Sequence, residues 1–181
     1  MKDFSSFDKN SNSLIMSASA ISALKEVARQ TRHYHKYSEV ILIGEGGKFD
    51  KYVDSNLNRK SNIEQIVDYA KSVNSNADSL FFAHGHLKGV TLDNADVCFD
   101  YRLLSSGDIA ALVESQQKIG NAMKLYTACL SCDDLGSVTM QILSYDGKKC
   151  IQHINIQTDS GILSNNSFEQ LVELEKVNAK F

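Results

Sequence analysis

Short apolar runs rich in β-branched residues alternate along this chain with amphipathic segments, and this alternation most constrains the fold. Four runs are predicted as buried strands: "EVILIG" (39–44), "LFFA" (80–83), "MKLYTA" (123–128) and "CIQHINIQ" (150–157). Strands that alternate with helices favour a parallel arrangement covered on both sides. We therefore predict an α/β fold with a mostly parallel sheet flanked by helices on both faces.

Capping boxes mark the starts of three of the predicted helices, because a side chain at the first position and another three residues later satisfy each other's backbone N–H groups. The pairs are Ser61 with Glu64, Ser105 with Asp108, and Ser167 with Gln170. Two further helices are predicted from Leu14 to about Lys36 and over "DLGSVTMQILS" (134–144). The glycine-bearing segment 44–60 is predicted as a loop, and residues 90–101 as a hairpin.

Length and charge restrict the broad class of protein. The 181 residues suit one domain, which we predict over 13–181 behind a flexible N-terminal tail, 1–12. A net charge of −3 offers no electrostatic footprint for nucleic acid. No apolar run approaches the roughly 18 residues of a membrane span. The absence of a signal-peptide pattern predicts a cytoplasmic protein, while the Ser/Asn-rich start leaves export as a bacterial effector open.

Two histidines and a cysteine follow or end neighbouring predicted strands. His84 and His86 lie in "FFAHGHLKGV" (81–90), and Cys129 lies in "LYTACLSCDD" (125–134). Because the carboxyl ends of parallel strands meet at one edge of a sheet, we expect His84 and Cys129 to face each other. A thiol beside an imidazole is the arrangement that activates a cysteine nucleophile. Taken singly, each of these residues is more often structural than catalytic.

The two segments resemble those of the caspase-like cysteine peptidases of clan CD, which include the clostripain and CHAT types. In that group an apolar strand leads into His-Gly, and a second apolar strand leads into Ala-Cys, with a hairpin and a helix between them. The resemblance covers about 39–157. It departs from the group after Cys129, where Leu130-Ser131-Cys132 replaces the usual residues.

The resemblance implies a cysteine endopeptidase that hydrolyses peptide bonds in a protein or peptide substrate and uses no cofactor. His84 would be the general base and Cys129 the nucleophile. The backbone N–H groups of Gly85 and Cys129 would form the oxyanion hole. His86 is the rival to His84, and the glycine pattern favours His84.

In the same group, the loop after the first strand contributes to the pocket for the residue before the cut. Here that loop carries Glu45 and Asp50, with Glu45 nearer to the strand. An acidic pocket would favour cleavage after Arg or Lys, since charge-assisted pairs are strong. Lys48 and Lys51 argue the other way, and solvated loop charges are the simpler interpretation.

Three alternatives use the same residues differently. His84-x-His86 with Cys129-x-x-Cys132 offers two imidazoles and two thiols, a set that suits tetrahedral zinc. The two cysteines alone have the spacing of a redox pair. A caspase-like fold without activity would serve as an interaction module.

Overall fold

The fold is known from a computed structural model, which describes residues 8–10, 12–34, 38–53, 62–86, 103–132, 138–158 and 161–164. Three helices lie within these ranges: α1 (Ala18–Tyr34), α2 (Ile63–Val73) and α3 (Ser106–Ile119). The strands are β1 (Asp8–Asn10), β2 (Leu14–Met16), β3 (Glu39–Glu45), β4 (Lys48–Val53), β5 (Ser79–Gly85), β6 (Lys124–Cys132), β7 (Val138–Tyr145), β8 (Cys150–His153), β9 (Asn155–Thr158) and β10 (Gly161–Ser164).

All ten strands belong to one mixed sheet, in the order β1-β8-β7-β6-β5-β3-β4-β2-β9-β10. The long central pairings are mostly antiparallel, with β3 antiparallel to β4 and β5, and β7 antiparallel to β6 and β8. The pair β5–β6 is parallel. The predicted mostly parallel sheet of a caspase-like fold is therefore wrong. A fully buried strand has the same apolar composition whether it runs parallel or antiparallel to its neighbours. The apolar runs in the sequence therefore do not indicate strand direction.

The sheet curls until its two sides almost meet. Strand β8 ends at His153 and β9 begins at Asn155, although seven strand pairings separate them in the sheet order. Only one residue joins them, so the eight strands from β8 to β9 form a nearly closed wall. Helix α1 packs on its inner side, where one buried cluster joins Leu24 of α1 to side chains such as Ile142 of β7 and Ile156 of β9.

Helices α2 and α3 cover the opposite face of the sheet. Their apolar residues, among them Ile66 and Leu112, form a second buried cluster with Ile41, Leu80 and Leu125. Alternate residues of a strand point to opposite faces. Each central strand therefore divides its side chains between the α1 core and the α2/α3 core, which explains why the central runs read as continuously apolar.

A two-residue turn produces the first correction to the predicted elements. Gly46 and Gly47 both have positive φ, 59° and 80°, and they connect Glu45 to Lys48 across the β3–β4 hairpin. Positive φ at both central positions is the type I′ geometry that glycine accepts and that suits the twist of a hairpin. Lys48–Val53 therefore continues as a strand, and the loop predicted over 44–60 is wrong for that part.

The predicted helix over 134–144 is also wrong, because Val138–Tyr145 pairs antiparallel with β6 along seven residues. The helix predicted from Leu14 starts later, at Ala18, and Leu14–Met16 is instead a strand beside β4 and β9. In each case the demand of a neighbouring strand for hydrogen-bond partners outweighs local helical spacing.

Several predictions are confirmed. The strands at 39–44, 80–83 and 123–128 are β3, β5 and β6, and Ser105 and Asp108 form the capping box of α3. The box predicted at Ser61 lies one residue further on, between Asn62 and Gln65. The run 150–157 divides into β8 and β9, and residues 8–10 of the predicted tail form β1 beside β8.

The hairpin predicted at 90–101 and the helix predicted from Ser167 lie outside the described residues. Among the described helices, none has the length and apolar character needed to cross a bilayer.

Candidate metal and catalytic site

The parallel pair β5–β6 places His84 directly beside Cys129, its register partner on the neighbouring strand. Both side chains point to the α2/α3 face, since Cys129 belongs to that buried cluster and His84 alternates with Ala83 of the α1 cluster. The juxtaposition of these two residues that the sequence led us to expect is therefore present. It comes from the one parallel pairing among the long central strands.

Gly85 lies between the two histidines because α1 crosses the sheet there. A Cβ at this position would lie 2.5 Å from Thr31 Oγ1 and 2.8 Å from Thr31 Cβ, closer than side-chain carbons approach other atoms. Its N–H donates to the carbonyl of Ser38 at 3.3 Å. The oxyanion donor predicted at Gly85 is thus already engaged, and the glycine has a packing reason.

The capping box of α3 brings a carboxylate to the histidines. Ser105 Oγ accepts from the N–H of Asp108 at 3.2 Å, while the Ser105 N–H and hydroxyl donate to Asp108 Oδ2 at 2.7 and 2.8 Å. These bonds hold the Asp108 side chain at the helix start, turned toward the end of β5. The residue that opens the helix thereby becomes part of the site.

The Nε2 atoms of two histidines and both carboxylate oxygens of Asp108 converge at this point. His84 Nε2 lies 2.9 Å from His86 Nε2, and Asp108 lies 3.3 Å from His84 through Oδ1 and 3.0 Å from His86 through Oδ2. A tetrahedral ion with bonds of about 2.0–2.1 Å separates its ligands by roughly 3.3 Å. Two imidazole nitrogens and a carboxylate are also donors that zinc accepts. One ligand atom from each of the three residues lies within 4.8 Å of the others, which is close enough for them to share one metal ion.

Electrostatics favour the ligand form of the carboxylate. Burial by itself raises the pKa of Asp108, but hydrogen bonds from His84 and His86 and from Ser105 outweigh it, and the pKa lies well below its ordinary 3.8. Asp108 is thus ionised at neutral pH. An ionised carboxylate can bind a cation, and a histidine can join it as a ligand through Nε2 once that nitrogen carries no proton and no longer donates to Asp108.

Cys129 contacts the back of this cluster. Its Sγ lies 3.5 Å from Nδ1 of His86, whose Nε2 faces Asp108. Histidine ligands of metals usually bond a second group through the other ring nitrogen, which orients the ring. The Cys129 side chain is fully buried, at 0% exposure, in the interior of a strand paired on both sides. Its backbone N–H lies within the sheet ladder.

A second carboxylate approaches from β3. Glu39 is the register partner of His84 across the antiparallel pair β3–β5, and such partners have Cβ atoms about 4.5–5.5 Å apart. Glu39 alternates with Val40 of the α1 core, so its side chain faces the α2/α3 side. Glu39, His84 and Asp108 also line one cavity of about 280 Å³. Glu39 therefore lies beside His84 on the face of the sheet that Asp108 approaches.

The residues predicted to bind substrate lie elsewhere. Because β3 runs antiparallel to β5, Glu45 is at the end of β3 far from Glu39, six residues or about 20 Å away. Glu45 accepts from Asn74 Nδ2 at 2.8 Å, and Asp50 is exposed on β4. The fold does not bring either residue to His84 and Cys129.

The two cysteines of the predicted CxxC also separate. Cys129 faces the α2/α3 core and Cys132 faces the α1 core, because residues three apart on a strand point to opposite sides. They cannot share a metal ion or a disulfide from these positions. Only the His-x-His half of the predicted zinc set is assembled here.

Sequence reasoning missed Asp108 and Glu39 as site residues. Asp108 had a signal, the capping box after His-x-His, but the box was interpreted only as a helix start. Glu39 opens a predicted strand, and nothing in its local pattern marks it.

Comparison of the chain with models of known protein families finds no match, and comparison with curated proteins finds none either.

Proposed function

We propose that this protein is a metal-dependent hydrolase that cleaves amide bonds, peptide bonds in particular, at a zinc ion held by His84, His86 and Asp108. The observation that carries the proposal is the mutual approach of the three side chains, with contacts of 2.9, 3.0 and 3.3 Å and with one ligand atom from each residue within 4.8 Å of the others. Three protein ligands with an open fourth position are the usual composition of a catalytic zinc site, whereas structural sites have four.

If His84, His86 and Asp108 hold a zinc ion, the ion would supply a water molecule of lowered pKa and would polarise a carbonyl group. The protein residues have separate tasks. Glu39, which shares the cavity with His84 and Asp108, would accept a proton from a water molecule and return it to the leaving amine. Ser105 holds the Asp108 carboxylate, and Cys129 orients the His86 ring through Nδ1.

A cysteine endopeptidase is the second candidate, and one observation favours it. Cys129, His86 and Asp108 form a chain of thiol, imidazole and carboxylate, with steps of 3.5 and 3.0 Å. In that case His86 would be the base, since its Nδ1 approaches the sulfur. The complete burial of Cys129 argues against the candidate, because a nucleophile must reach the substrate carbonyl.

The deciding experiment compares Cys129→Ala with Asp108→Asn. For the metal hydrolase we expect wild type to bind one zinc ion per chain by calorimetry and to cleave a peptide library. Asp108→Asn should lose both zinc binding and peptide cleavage. Cys129→Ala should lower turnover by about 10- to 100-fold relative to wild type, which is the usual effect of removing a group that orients a metal ligand. A chelator should stop the wild type and added zinc should restore it.

The opposite pattern supports the cysteine peptidase. Activity that survives the chelator, disappears in Cys129→Ala and is blocked by iodoacetamide would overturn the metal proposal. Titration with Fe²⁺ and Mn²⁺ is a further arm, because two histidines and one carboxylate also suit non-haem iron. If only the iron-loaded protein turns over substrate, the proposed metal would be iron in place of zinc, held by the same three residues.

A further inference from the structure

A cavity runs from the ligand cluster between α2, α3 and the sheet, and it is lined entirely by described residues. Glu39, His84 and Asp108 form one end. The remaining wall is mostly apolar: Ile63, Ile66, Phe82, Ala111, Leu112, Leu125, with Ser115 and Thr127 as the polar members. Its volume, about 280 Å³, is just below the range of roughly 300–1,000 Å³ for small-molecule sites. That size suits one large side chain.

The direction of the cavity follows from the elements that form it. Asp108 and Ser115 are seven residues apart on α3, which corresponds to about 10 Å along the helix. On the floor, His84 and Phe82 point to the same face of β5, and Thr127 and Leu125 continue on β6 toward its start. The cavity is therefore a trench about 10 Å long that leads away from the metal ligands.

We infer that this trench is the pocket for an apolar side chain of the substrate residue beside the scissile bond. The inference depends on the proposed hydrolase, since two of its three proposed ligand residues, His84 and Asp108, line one end of the trench. A substrate carbonyl at that end would place the adjoining side chain against Phe82 and Leu112. The carboxylates of Glu39 and Asp108 at the same end disfavour an acidic side chain, because like charges repel in a partly buried site.

The size of the expected preference follows from the apolar contact. Each additional buried CH₂ group contributes about 0.8 kcal/mol, and a leucine or phenylalanine side chain adds several carbons to the methyl group of alanine. The corresponding ratio of kcat/KM, leucine or phenylalanine over alanine, is about 10- to 100-fold. Substrates with aspartate at this position should be cleaved more slowly than those with alanine.

Two neighbouring alanines of α3 provide a matched pair of variants. Ala111 lines the trench and Ala110 does not, and both are exposed, so a larger side chain at either site avoids the core. We expect Ala111→Phe to fill the trench and reduce the leucine-over-alanine ratio to near one. Ala110→Phe should keep the wild-type ratio.

Peptide hydroxamates, which chelate zinc without being cleaved, separate this inference from the proposed function. Their affinity for the zinc-loaded protein should rank leucine and phenylalanine above alanine, and alanine above aspartate. The side-chain methyl resonances of Ile63 and Ile66 should shift with the leucine hydroxamate. The same ranking without peptide cleavage would support the pocket and overturn the hydrolase.

Turnover with no side-chain ranking, or with arginine or aspartate preferred, overturns the pocket and leaves the hydrolase intact. If the chain binds no zinc, the methyl shifts alone decide the pocket. N-acetyl-leucinamide that perturbs Ile63 and Ile66 in wild type but not in Ala111→Phe supports it, and equal shifts in both proteins overturn it.

Discussion

Glu39 and His84 are direct register partners across the antiparallel strands β3 and β5, with both side chains on the face that α2 and α3 cover. The pairing sets a carboxylate next to a residue that also approaches His86 and Asp108 within 3.3 Å. Since Glu39 begins β3 and His84 stands one residue before the end of β5, the arrangement depends on the antiparallel direction of the pair.

Glu39→Gln should lower kcat by about 10²- to 10⁴-fold, the usual contribution of a general base, while zinc affinity stays close to wild type. Glutamine keeps the size of the side chain and loses the proton acceptor. Glu45→Gln, at the other end of the same strand, is the matched control and should keep full activity. Peptide hydrolysis and zinc calorimetry measure the two properties. Loss of zinc in Glu39→Gln would make Glu39 a ligand instead.

Ser105→Ala should destabilise the protein by about 1 kcal/mol, because α3 loses its N-cap, and should weaken zinc binding by about 10-fold. The second effect arises because Ser105 Oγ also donates to Asp108 Oδ2 at 2.8 Å. Asn62→Ala removes the equivalent cap of α2, where Gln65 N–H donates to Asn62 Oδ1 at 2.9 Å. It should give a similar loss of stability with no change in zinc affinity. Equal zinc affinities in the two variants would contradict the link between cap and ligand.

Gly85→Ala should cost about 1–3 kcal/mol through overpacking, because the new Cβ meets Thr31 at 2.5 Å. Zinc affinity should fall with it, since both flanking histidines would shift. Thr31→Ala in the same chain should recover part of both losses. Gly107→Ala is the control, since a Cβ there meets only Ser105 Oγ at 3.6 Å; it should be neutral or stabilising by up to about 1 kcal/mol. Urea unfolding measures the differences, and equal stabilities of the two glycine variants would contradict the packing explanation.

The buried side chain of His153 should make the free energy of unfolding decrease at acidic pH. Burial, with a smaller contribution from Lys124, lowers the pKa of His153 from 6.5 to about 4. Between these values the unfolded chain binds a proton that the folded chain does not. Stability from this residue is therefore complete above about pH 6.5 and is lost as the pH falls toward 4, by up to about 3 kcal/mol.

His153→Gln should remove that part of the pH dependence while it keeps a polar atom for Ser144 Oγ, which lies 2.8 Å from His153 Nε2. The free energy of unfolding, measured at pH 7 and pH 4.5, should change less in the variant than in wild type. An identical change in both proteins would show that His153 does not titrate as described.

Local patterns in the chain predicted the elements best where two signals agreed. The runs at 39–44, 80–83 and 123–128 are apolar, β-branched or aromatic and bounded by polar residues, and each is a strand. Ser105 and Asp108 predicted the start of α3 because a cap acts within one helical turn. Residues 138–144 satisfy helical spacing and strand composition equally. They form a strand because their backbone pairs with β6.

The sequence by itself determined that a strand ends near His84 and that a helix begins at Ser105. It also indicated that His84 and Cys129 are candidate site residues that lie near each other. Only the tertiary structure decided which residues join them. Strand direction is invisible in an apolar run, and here the antiparallel β3 brings Glu39 to His84 and removes Glu45. The alternation of side chains along β6 separates Cys129 from Cys132, and the packing of α3 on the sheet brings Asp108 to both histidines. The contacts of His84 with Glu39 and Asp108 join residues far apart in the chain, and sequence spacing carries no information about them. Cys129 and Cys132 separate because β6 extends through both of them.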